Sequence, residues 1–281
     1  MNAKELEAAI LLATFNGAKW LDEQLESIVN QSHPNWKLYI SDDASTDGTP
    51  ELLKRWRSRF PDKITLFFQP RNLGHQRNFE FLLSRPKEPY LFFCDQDDIW
   101  ATDKLSRQLE LLRDQENRQS SSQPLGVFSD LTLISEDGRL LHRSFWKYQK
   151  IGPEMVKSLS TMMICNVVTG CTMGINRAAA NLCLGKTIDL THDHWTALQI
   201  LKSGGSLVWL DAPLVAYRQH ESNSVGARSF YGQLTRRIAL LFAPHNRRLA
   251  RLAVEEGLYR GQGEYYFRKL ILWVKRAFTR Y

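Results

Sequence analysis

The sequence Tyr90-Leu-Phe-Phe-Cys-Asp-Gln-Asp-Asp-Ile-Trp100 decides how the whole chain is interpreted. Its first half, Tyr90 to Cys94, is an apolar run with the composition of a buried strand. Three carboxylates follow at once, those of Asp95, Asp97 and Asp98. Because burying an unpaired charge is costly, we place them at the carboxyl end of the strand, where open α/β sheets bind their ligands.

The spacing of these carboxylates predicts a metal site. If the strand continues through Asp95 and Asp97, both side chains point to the same side and share a divalent cation. Oxygen ligands suit Mg²⁺ or Mn²⁺, and Mg²⁺ usually takes one or two protein carboxylates together with substrate phosphates. The alternative is a solvated acidic turn, in which Asp103 caps a helix that starts at Lys104.

The composition is that of a globular protein. The 281 residues, of which 43% are apolar and 24% charged, predict one large domain or one domain with an appendage. We expect no signal peptide, because Met1 to Glu7 is polar, and no run approaches the roughly 20 apolar residues of a membrane span. The four cysteines lack C-x-x-C spacing, which favours reduced thiols in a cytosolic protein.

The net charge of +7 belongs to the C-terminal part of the chain. Residues 236–281 contain 11 Lys and Arg against 3 Glu, whereas the preceding residues contain 26 basic and 27 acidic side chains. An interaction driven by positive charge is therefore expected at the C-terminal end.

The first half of the chain alternates between strand and helix patterns. Apolar runs predict strands at Ala8–Thr14, Trp36–Ile40, Ile64–Gln69 and Tyr90–Cys94, each followed by a helical pattern. This order predicts an α/β fold, a Rossmann-like, mostly parallel sheet flanked by helices. Neither G-x-G-x-x-G nor a P-loop motif is present, which disfavours dinucleotide and P-loop folds. The strand ends carry acids instead, and carboxylates accept hydrogen bonds from a nucleobase and from ribose hydroxyls.

The second half is less regular. Strands are predicted at Val127–Ile134, Asn166–Ile175, Ser206–Leu210 and Leu214–Tyr217, and a helix begins near Thr191–Trp195. Residues 140–160 mix aromatic and basic side chains and have no clear period.

Four motifs at the predicted strand ends resemble those of the family 2 glycosyltransferases, which have the glycosyltransferase A fold. They are Ala13–Gly17, Ser41–Thr49, Asn72–Gly74 with Arg77 and Asn78, and Asp95–Trp100. Two later segments, Thr191–Trp195 and Tyr217–His220 with Asn223, resemble the bacterial rhamnosyltransferase-like branch of that family. The resemblance covers roughly residues 8–226.

This resemblance implies how the chain is divided. Residues 1–226 would form the catalytic domain, with a nucleotide-binding half at residues 1–118 and an acceptor half at residues 119–226. Residues 227–281 would be a helical, basic C-terminal extension.

The resemblance also implies which residues bind the donor. Asp43, with the backbone of Thr14, Phe15 and Asn16, would hold the nucleobase, and Asp95 would bind the ribose. Arg77, on a helix that starts near the donor, is a candidate phosphate ligand. An equally simple interpretation makes Arg77 a solvated helix charge.

For the metal and the general base, the resemblance points to three residues. Asp97 would hold Mn²⁺ or Mg²⁺ on the diphosphate, and His220 would complete the metal shell or contact a phosphate. Asp193 stands where the family has its general base, although many members have Glu-Asp and this chain has His192 before it. The alternatives are a first-turn aspartate favoured by the helix dipole and a loop histidine without a ligand role. Further candidates for contacts with the diphosphate or the acceptor are Arg218, Trp195 and Asp98.

The implied reaction is an inverting transfer of a sugar from a nucleotide sugar to a hydroxyl of a glycan or lipid-linked glycan, in cell-surface polysaccharide synthesis such as that of O-antigen. The leading donor is dTDP-rhamnose. The alternatives are a sugar-nucleotide nucleotidyltransferase, a catalytically degenerate scaffold that binds sugar nucleotides and, from paired carboxylates alone, a glycoside hydrolase.

The C-terminal extension reads as three helices, at Phe230–Leu241, Arg247–Tyr259 and Tyr265–Tyr281. The last mixes aromatic and aliphatic with basic residues, which is typical of a helix lying in an anionic membrane surface. We therefore expect a cytoplasmic enzyme that is peripheral on the inner face of the membrane. Nucleic acid is not an expected partner, because the chain carries no nucleic-acid motif. The alternative is that the apolar face packs on the catalytic domain or on a second subunit.

Overall fold

The computed structural model describes residues 7–119, 122–185, 190–220 and 241–278. The strands of this part of the chain are β1 (Ala8–Thr14), β2 (Trp36–Asp42), β3 (Ile64–Phe68), β4 (Tyr90–Cys94), β5 (Ile99–Trp100), β6 (Leu125–Ile134), β7 (Leu140–His142), β8 (Gly174–Asn176) and β9 (Ser206–Arg218). Together they form one nine-stranded sheet in the order β3-β2-β1-β4-β8-β6-β9-β5, and β7 pairs with β6.

The helices lie between the strands and after the last one. They are α1 (Leu21–Val29), α2 (Thr49–Arg59), α3 (His75–Leu83), α4 (Lys104–Arg118), α5 (Phe145–Gln149), α6 (Leu159–Ile164), α7 (Arg177–Cys183), α8 (His192–Lys202), α9 (Pro244–Glu255) and α10 (Gln262–Phe278). Short 3-10 turns occur at Pro153–Lys157 and Gly170–Thr172.

The parallel half of the sheet confirms the sequence prediction. Strand β1 pairs in parallel with β2 and β4, and β2 pairs in parallel with β3. Every residue of β1 is buried, with Ala9 and Leu11 in the hydrophobic core on one face of the sheet and Ile10 and Leu12 in the core on the other. The register sets Thr14 opposite Asp42 and Leu12 opposite Cys94. The acidic residues that follow β2 and β4 therefore leave the sheet at the same edge.

The other half of the sheet differs from the prediction. Strand β8 runs antiparallel to both β4 and β6, so the complete sheet is mixed. The strand predicted over Asn166–Ile175 is wrong in extent, because a 3-10 turn precedes the three residues of β8. The two strands predicted within residues 206–217 are one strand, β9. Its register against β6 shifts near Pro213, which has no N–H to donate to the ladder.

Helix α10 packs on α6 and on the residue after α5, Lys150, through polar as well as apolar side chains. The buried Tyr265 hydroxyl donates to the carbonyl of Met163 (3.3 Å), and Lys269 Nζ donates to the carbonyl of Ile164 (2.7 Å). Arg276 Nε donates to the carbonyl of Lys150 (2.9 Å). The helix predicted at residues 230–241 falls almost wholly outside the described residues. Within the described ranges, the structure contains no helix long and apolar enough to cross a bilayer.

Candidate functional site

The loops that follow β1 and β2 are tied together by hydrogen bonds. Thr14 Oγ1 and Ser45 Oγ both donate to Oδ1 of the buried Asp42, at 3.0 and 2.5 Å. Asn16 has a φ of 49°, a left-handed conformation that asparagine adopts more readily than most residues. Its Oδ1 accepts from the backbone N–H of Thr46 (2.8 Å). The predicted nucleobase residues Thr14 and Asn16 thus belong to one fixed pair of loops.

Asp43 connects the loop that contains Leu73 and Gly74 to the two loops that follow β1 and β2. Its carboxylate is 2% exposed and accepts the backbone N–H groups of Leu73 (2.7 Å) and Gly74 (2.9 Å). Gly74 has a φ of 85°, which a residue with a side chain adopts only at a cost. Two of the carboxylate lone pairs are used in this way, and a carboxylate offers about four acceptor positions.

Gln96 was not identified from the sequence. It connects the segment of residues 95–98, which we call the acidic loop, to the residue that follows β1. Phe15 N–H donates to Gln96 Oε1 (2.9 Å), and Gln96 Nε2 donates back to the Phe15 carbonyl (3.1 Å). A Cβ at Gly17 would lie 2.2 Å from Gln96 Oε1, so glycine is needed for this approach. The Phe15 ring is 44% exposed beside these contacts. The only sequence signal for Gln96 is its position between Asp95 and Asp97.

The acidic segment itself is not a strand. Strand β4 ends at Cys94 and residues 95–98 are irregular, so the expectation that the strand continues through Asp95 and Asp97 is wrong. Oδ1 of Asp95 lies 3.5 Å from Nε2 of His75, the first residue of α3. His75 was not identified from the sequence, because a histidine at the first position of a helix has no sequence pattern that indicates a binding role.

Asp97 and His220, the two predicted metal ligands, lie side by side. Oδ2 of Asp97 is 2.7 Å from Nε2 of His220, and the His220 ring stacks on Trp20 with centroids 4.0 Å apart. Burial and the charge of Asp95 raise the pKa of Asp97, although the His220 hydrogen bond acts in the opposite direction.

Arg218 and Asp98 face the protein interior. Arg218 is 1% exposed, and its backbone N–H donates to Asp98 Oδ1 (3.2 Å) while its Nε donates to the carbonyl of Asp97 (3.0 Å). Its Nη1 and Nη2 reach the carbonyl of Glu136 (2.9 Å) and Glu23 Oε2 (2.6 Å). Burial, with the charges of Asp97 and Asp95, raises the pKa of the Asp98 carboxyl well above its usual range. These contacts make Arg218 a brace for the acidic loop.

The acidic loop has the chemistry of a divalent-cation site. Ligand atoms of Asp95, Asp98 and Cys171 lie within 4.8 Å of one another. Carboxylates held this close repel each other, and a cation relieves that repulsion. The oxygen atoms of Asp95 and Asp97 suit Mn²⁺ or Mg²⁺. Cys171 does not, because sulfur is a soft ligand and burial raises the pKa of its thiol.

Asp193 lies in the first turn of α8 and is 9% exposed. Its Oδ2 accepts from Asn166 Nδ2 (3.2 Å), and its Oδ1 accepts from the backbone N–H of His194 (2.7 Å). Asn166 was not identified from the sequence, because it lies 27 residues earlier in a segment predicted as a strand. This amide orients one oxygen of the predicted general base.

His192, the residue before Asp193, is buried in an aromatic environment. Its ring stacks on Phe79 with centroids 3.9 Å apart, and a Cβ at Gly170 would lie 2.4 Å from its Nε2. Neither ring nitrogen has a hydrogen-bond partner among the described residues. Burial, with the nearby His75, lowers the pKa of His192 to about 4, so the ring is neutral at pH 7.

His75 connects the acidic loop, through Asp95, with α8, through His192. Its ring centroid lies 5.1 Å from that of His192. Burial acts to lower the pKa of His75, but the hydrogen bond to Asp95 and the charges of Asp95, Asp193 and Asp97 raise it above its ordinary value. His75 thus lies between Asp95 and the start of α8, where Asp193 follows His192.

Two further candidates lie apart from this network. Arg77 is exposed on α3. Trp195 lines a separate cavity of about 240 Å³ between α6, α8 and α9, together with Leu159, Met163 and Leu252. No residue of the acidic loop lines that cavity.

The arrangement of the site agrees with the sequence comparisons. The model of the glycosyl transferase family 2 matches residues 9–182, well over half of the chain. The chain belongs to this family. It is a glycosyltransferase, and this assignment decides against the nucleotidyltransferase, scaffold and hydrolase alternatives.

Two relatives with recorded names align over most of their length. A putative teichuronic acid biosynthesis glycosyltransferase, TuaG of Bacillus subtilis, is 27% identical over 211 residues, which cover 75% of this chain and 78% of the relative. The dTDP-rhamnosyl transferase RfbG of Shigella flexneri is 27% identical over 236 residues, which cover 82% of this chain and 78% of the relative.

Solved structures confirm the glycosyltransferase A fold. The mannosyltransferase PcManGT from Pyrobaculum calidifontis, in complex with GDP-Man and Mn²⁺, superposes with a TM-score of 0.60 at 16% identity, covering 98% of this chain and 87% of the other. TarS of S. aureus, in complex with UDP-GlcNAc, gives a TM-score of 0.56 at 16% identity, covering 89% of this chain and 71% of the other.

Proposed function

We propose that this glycosyltransferase is a metal-dependent, inverting enzyme that moves a sugar from a nucleotide sugar to an acceptor hydroxyl. The observation that supports the proposal is the position of His75, whose Nε2 lies 3.5 Å from Asp95 Oδ1 and whose ring centroid lies 5.1 Å from that of His192, the residue before Asp193. We infer that the loop that binds the donor and the candidate base on α8 serve one site. Residues 1–118 would bind the donor, and residues 119–226 would supply the base and the acceptor side.

The nucleotide end of the donor binds at the loops that follow β1 and β2. Asp43, braced by Leu73 and Gly74, accepts a hydrogen bond from the nucleobase with its remaining lone pairs. The backbone of residues 14–16 borders the base, and the exposed ring of Phe15 provides an apolar surface for it. Asp95 accepts a hydrogen bond from a ribose hydroxyl.

The diphosphate lies at the acidic loop. Asp97 and His220 would hold Mn²⁺ or Mg²⁺, which offsets the negative charge that develops on the leaving nucleoside diphosphate. Arg77 contacts the phosphates from the exposed side of α3. Arg218 and Asp98 act indirectly, because their hydrogen bonds fix the backbone and the orientation of the loop.

Asp193 is the general base. Asn166 holds one of its oxygens, and the other accepts a backbone N–H at the start of α8. Asp193 takes the proton of the acceptor hydroxyl as the acceptor oxygen bonds to the anomeric carbon. The bond from that carbon to the diphosphate oxygen breaks on the opposite face, so the configuration inverts without a covalent enzyme intermediate.

We assign dTDP-rhamnose as the leading donor. This assignment is supported by the name of RfbG, a dTDP-rhamnosyl transferase that aligns with 82% of this chain. The acceptor is a hydroxyl of a glycan or lipid-linked glycan. The name of TuaG, which refers to teichuronic acid biosynthesis, supports a role in cell-surface polysaccharide synthesis. We propose that the reaction takes place on the cytoplasmic side of the membrane.

The test is release of nucleoside diphosphate from a panel of sugar nucleotides, namely dTDP-rhamnose, UDP-GlcNAc and GDP-mannose. Each donor is incubated with Mn²⁺, with Mg²⁺ or with EDTA. We expect dTDP release that requires a divalent cation. Equal release in EDTA contradicts the metal assignment, and faster release from another donor contradicts the rhamnose assignment. An Asp193→Asn protein that transfers sugar from the accepted donor as fast as the unaltered protein contradicts the proposed chemistry.

A further inference from the structure

Helix α10 presents an apolar stripe to solvent. Phe267, Leu270, Ile271 and Val274 are 62%, 45%, 39% and 51% exposed. Their spacing of three and four residues puts them on one face of the helix, which we call the outer stripe. The stripe is continuous over about two turns, whereas single exposed apolar residues need no explanation.

The opposite face of α10 is already occupied, and this fixes the rotation of the helix. Tyr265 is fully buried, and Lys269 and Arg276 are 8% and 7% exposed. Both cations donate to backbone carbonyls of the catalytic domain, as described above. These two basic residues of α10 therefore face the protein and are not part of its exposed basic surface. The catalytic domain therefore cannot cover the outer stripe without breaking these contacts.

The surroundings of the outer stripe are basic. Arg268 and Lys275 are exposed on α10 itself. The helix α9, which contacts α10 through Asn246 and Lys269, carries three further exposed cations, Arg247, Arg248 and Arg251. Three acidic groups lie in the same region, and the exposed charge stays positive after they are counted. Glu264 forms an ion pair with Arg268, Glu256 forms one with Lys202, and Glu255 is exposed on α9.

We propose that the outer stripe of α10 binds the surface of an anionic lipid bilayer. The helix lies in the membrane plane, with its apolar side chains in the interface and Arg268 and Lys275 near the headgroups. The helix has 17 residues, and no helix in the described part of the chain is long and apolar enough to span a bilayer. The proposed contact is therefore peripheral. The combination of an exposed apolar stripe with exposed positive charge is what identifies an anionic lipid surface as the partner.

A lipid surface matches this chemistry better than the other candidate occupants. A second copy related by a two-fold axis would bring the same basic rim against itself, and like charges repel. Nucleic acid would use the cations but would leave the aliphatic side chains in water. Anionic lipid satisfies both, since each basic residue near such a surface contributes about 1 kcal/mol, which is about a fivefold gain in partitioning.

The experiment is co-sedimentation of the full chain with phosphatidylcholine vesicles and with vesicles that also contain phosphatidylglycerol. The variant Leu270→Glu with Val274→Glu changes two residues of the outer stripe. The matched control, Leu140→Glu with Leu141→Glu, changes two residues of similar exposure, 51% and 56%, on β7. Thermal melting of each variant verifies folding, and raising NaCl from about 0.1 to about 0.5 M tests the charge contribution without any mutation.

We expect the unaltered protein and the β7 control to pellet with anionic vesicles, to pellet weakly with neutral ones and to dissociate in high salt. The α10 variant should partition at least about tenfold less, because two apolar side chains become charges that the lipid repels. Equal pelleting of the α10 variant and the control overturns the proposal. The proposal is also overturned if the unaltered protein does not bind anionic vesicles, or if it binds RNA instead. It is likewise overturned if the unaltered protein is a dimer and the α10 variant is a monomer.

Discussion

The Nε2 atom of His220, at the end of the described segment 190–220, lies 2.7 Å from Oδ2 of Asp97 in the acidic loop. The His220 ring stacks on Trp20 at a centroid distance of 4.0 Å, so three separate parts of the chain meet at this contact. The pair joins the two residues that the proposal assigns to the divalent cation. Asp97 is therefore held in place before a donor binds, which lowers the ordering cost of binding.

Replacing Asp97 by Asn should remove most of the metal-dependent donor binding, because it takes away a charged oxygen ligand. Calorimetric titration of the donor with and without Mn²⁺ measures this. The matched control is Asp103→Asn, at a half-exposed aspartate that forms an ion pair with Arg107 on α4. Equal donor affinity in Asp97→Asn and Asp103→Asn, with Mn²⁺ present, contradicts the metal assignment.

Replacing Arg218 by Met should destabilise the fold and weaken donor binding. The carbonyls of Asp97 and Glu136 lose their donor, and a buried acceptor left unsatisfied costs about 1–3 kcal/mol. We expect the free energy of unfolding to fall by about 2–5 kcal/mol in urea titrations.

The control for this change is Arg139→Met, since Arg139 is exposed and paired with Asp137. Its unfolding free energy should stay within about 0.5 kcal/mol of the unaltered protein. An Arg218→Met protein that matches this control would show that the guanidinium does not brace the acidic loop.

His192 should make the fold acid-sensitive. The pKa of this histidine is about 4 in the folded protein and about 6.5 when unfolded. The unfolded state therefore binds more protons between these values, and stability falls as the pH drops from about 6.5 towards 4. This contribution reaches about 3 kcal/mol at most.

The variant His192→Phe keeps the aromatic contact with Phe79 and removes the titrating group. Urea titrations at pH 7 and pH 5 should show a smaller loss of stability in the variant than in the unaltered protein. The comparison cancels the other histidines, which are the same in both. An identical loss of stability in the two proteins would contradict a neutral, buried His192.

The sequence predicts the parallel half of the sheet well because its signals are local. A parallel strand buried on both faces is an unbroken apolar run, as in Ala8–Thr14, and the residues after it must lie at the sheet edge. The positions of Thr14, Asp43 and Asp95 follow from that rule. The position of strand β8 does not follow from that rule. Its three residues form a strand because they pair with β4 and β6, and their own sequence has no strand pattern.

The contacts made by charged side chains are the hardest to predict. Lys269 and Arg276 look like surface cations in the sequence, and Arg218 looks like a ligand for the diphosphate or the acceptor, yet each is buried and donates to backbone carbonyls. Which carbonyls are left without a partner is known only after the chain has folded. Asn166 and Gln96 were missed for the same reason, because their partners are distant in the sequence.

Substitution of Asp193 by Asn should separate donor binding from the chemical step. The amide keeps the shape of the side chain but cannot accept the acceptor's proton. Donor affinity is measured by calorimetry, and turnover is measured as nucleoside diphosphate release with acceptor present, with Asp103→Asn as the control. We predict unchanged donor affinity and a turnover lowered by roughly 10²–10⁴-fold. Normal turnover, or a loss of donor affinity that accounts for the whole effect, would contradict the assignment of Asp193 as the base.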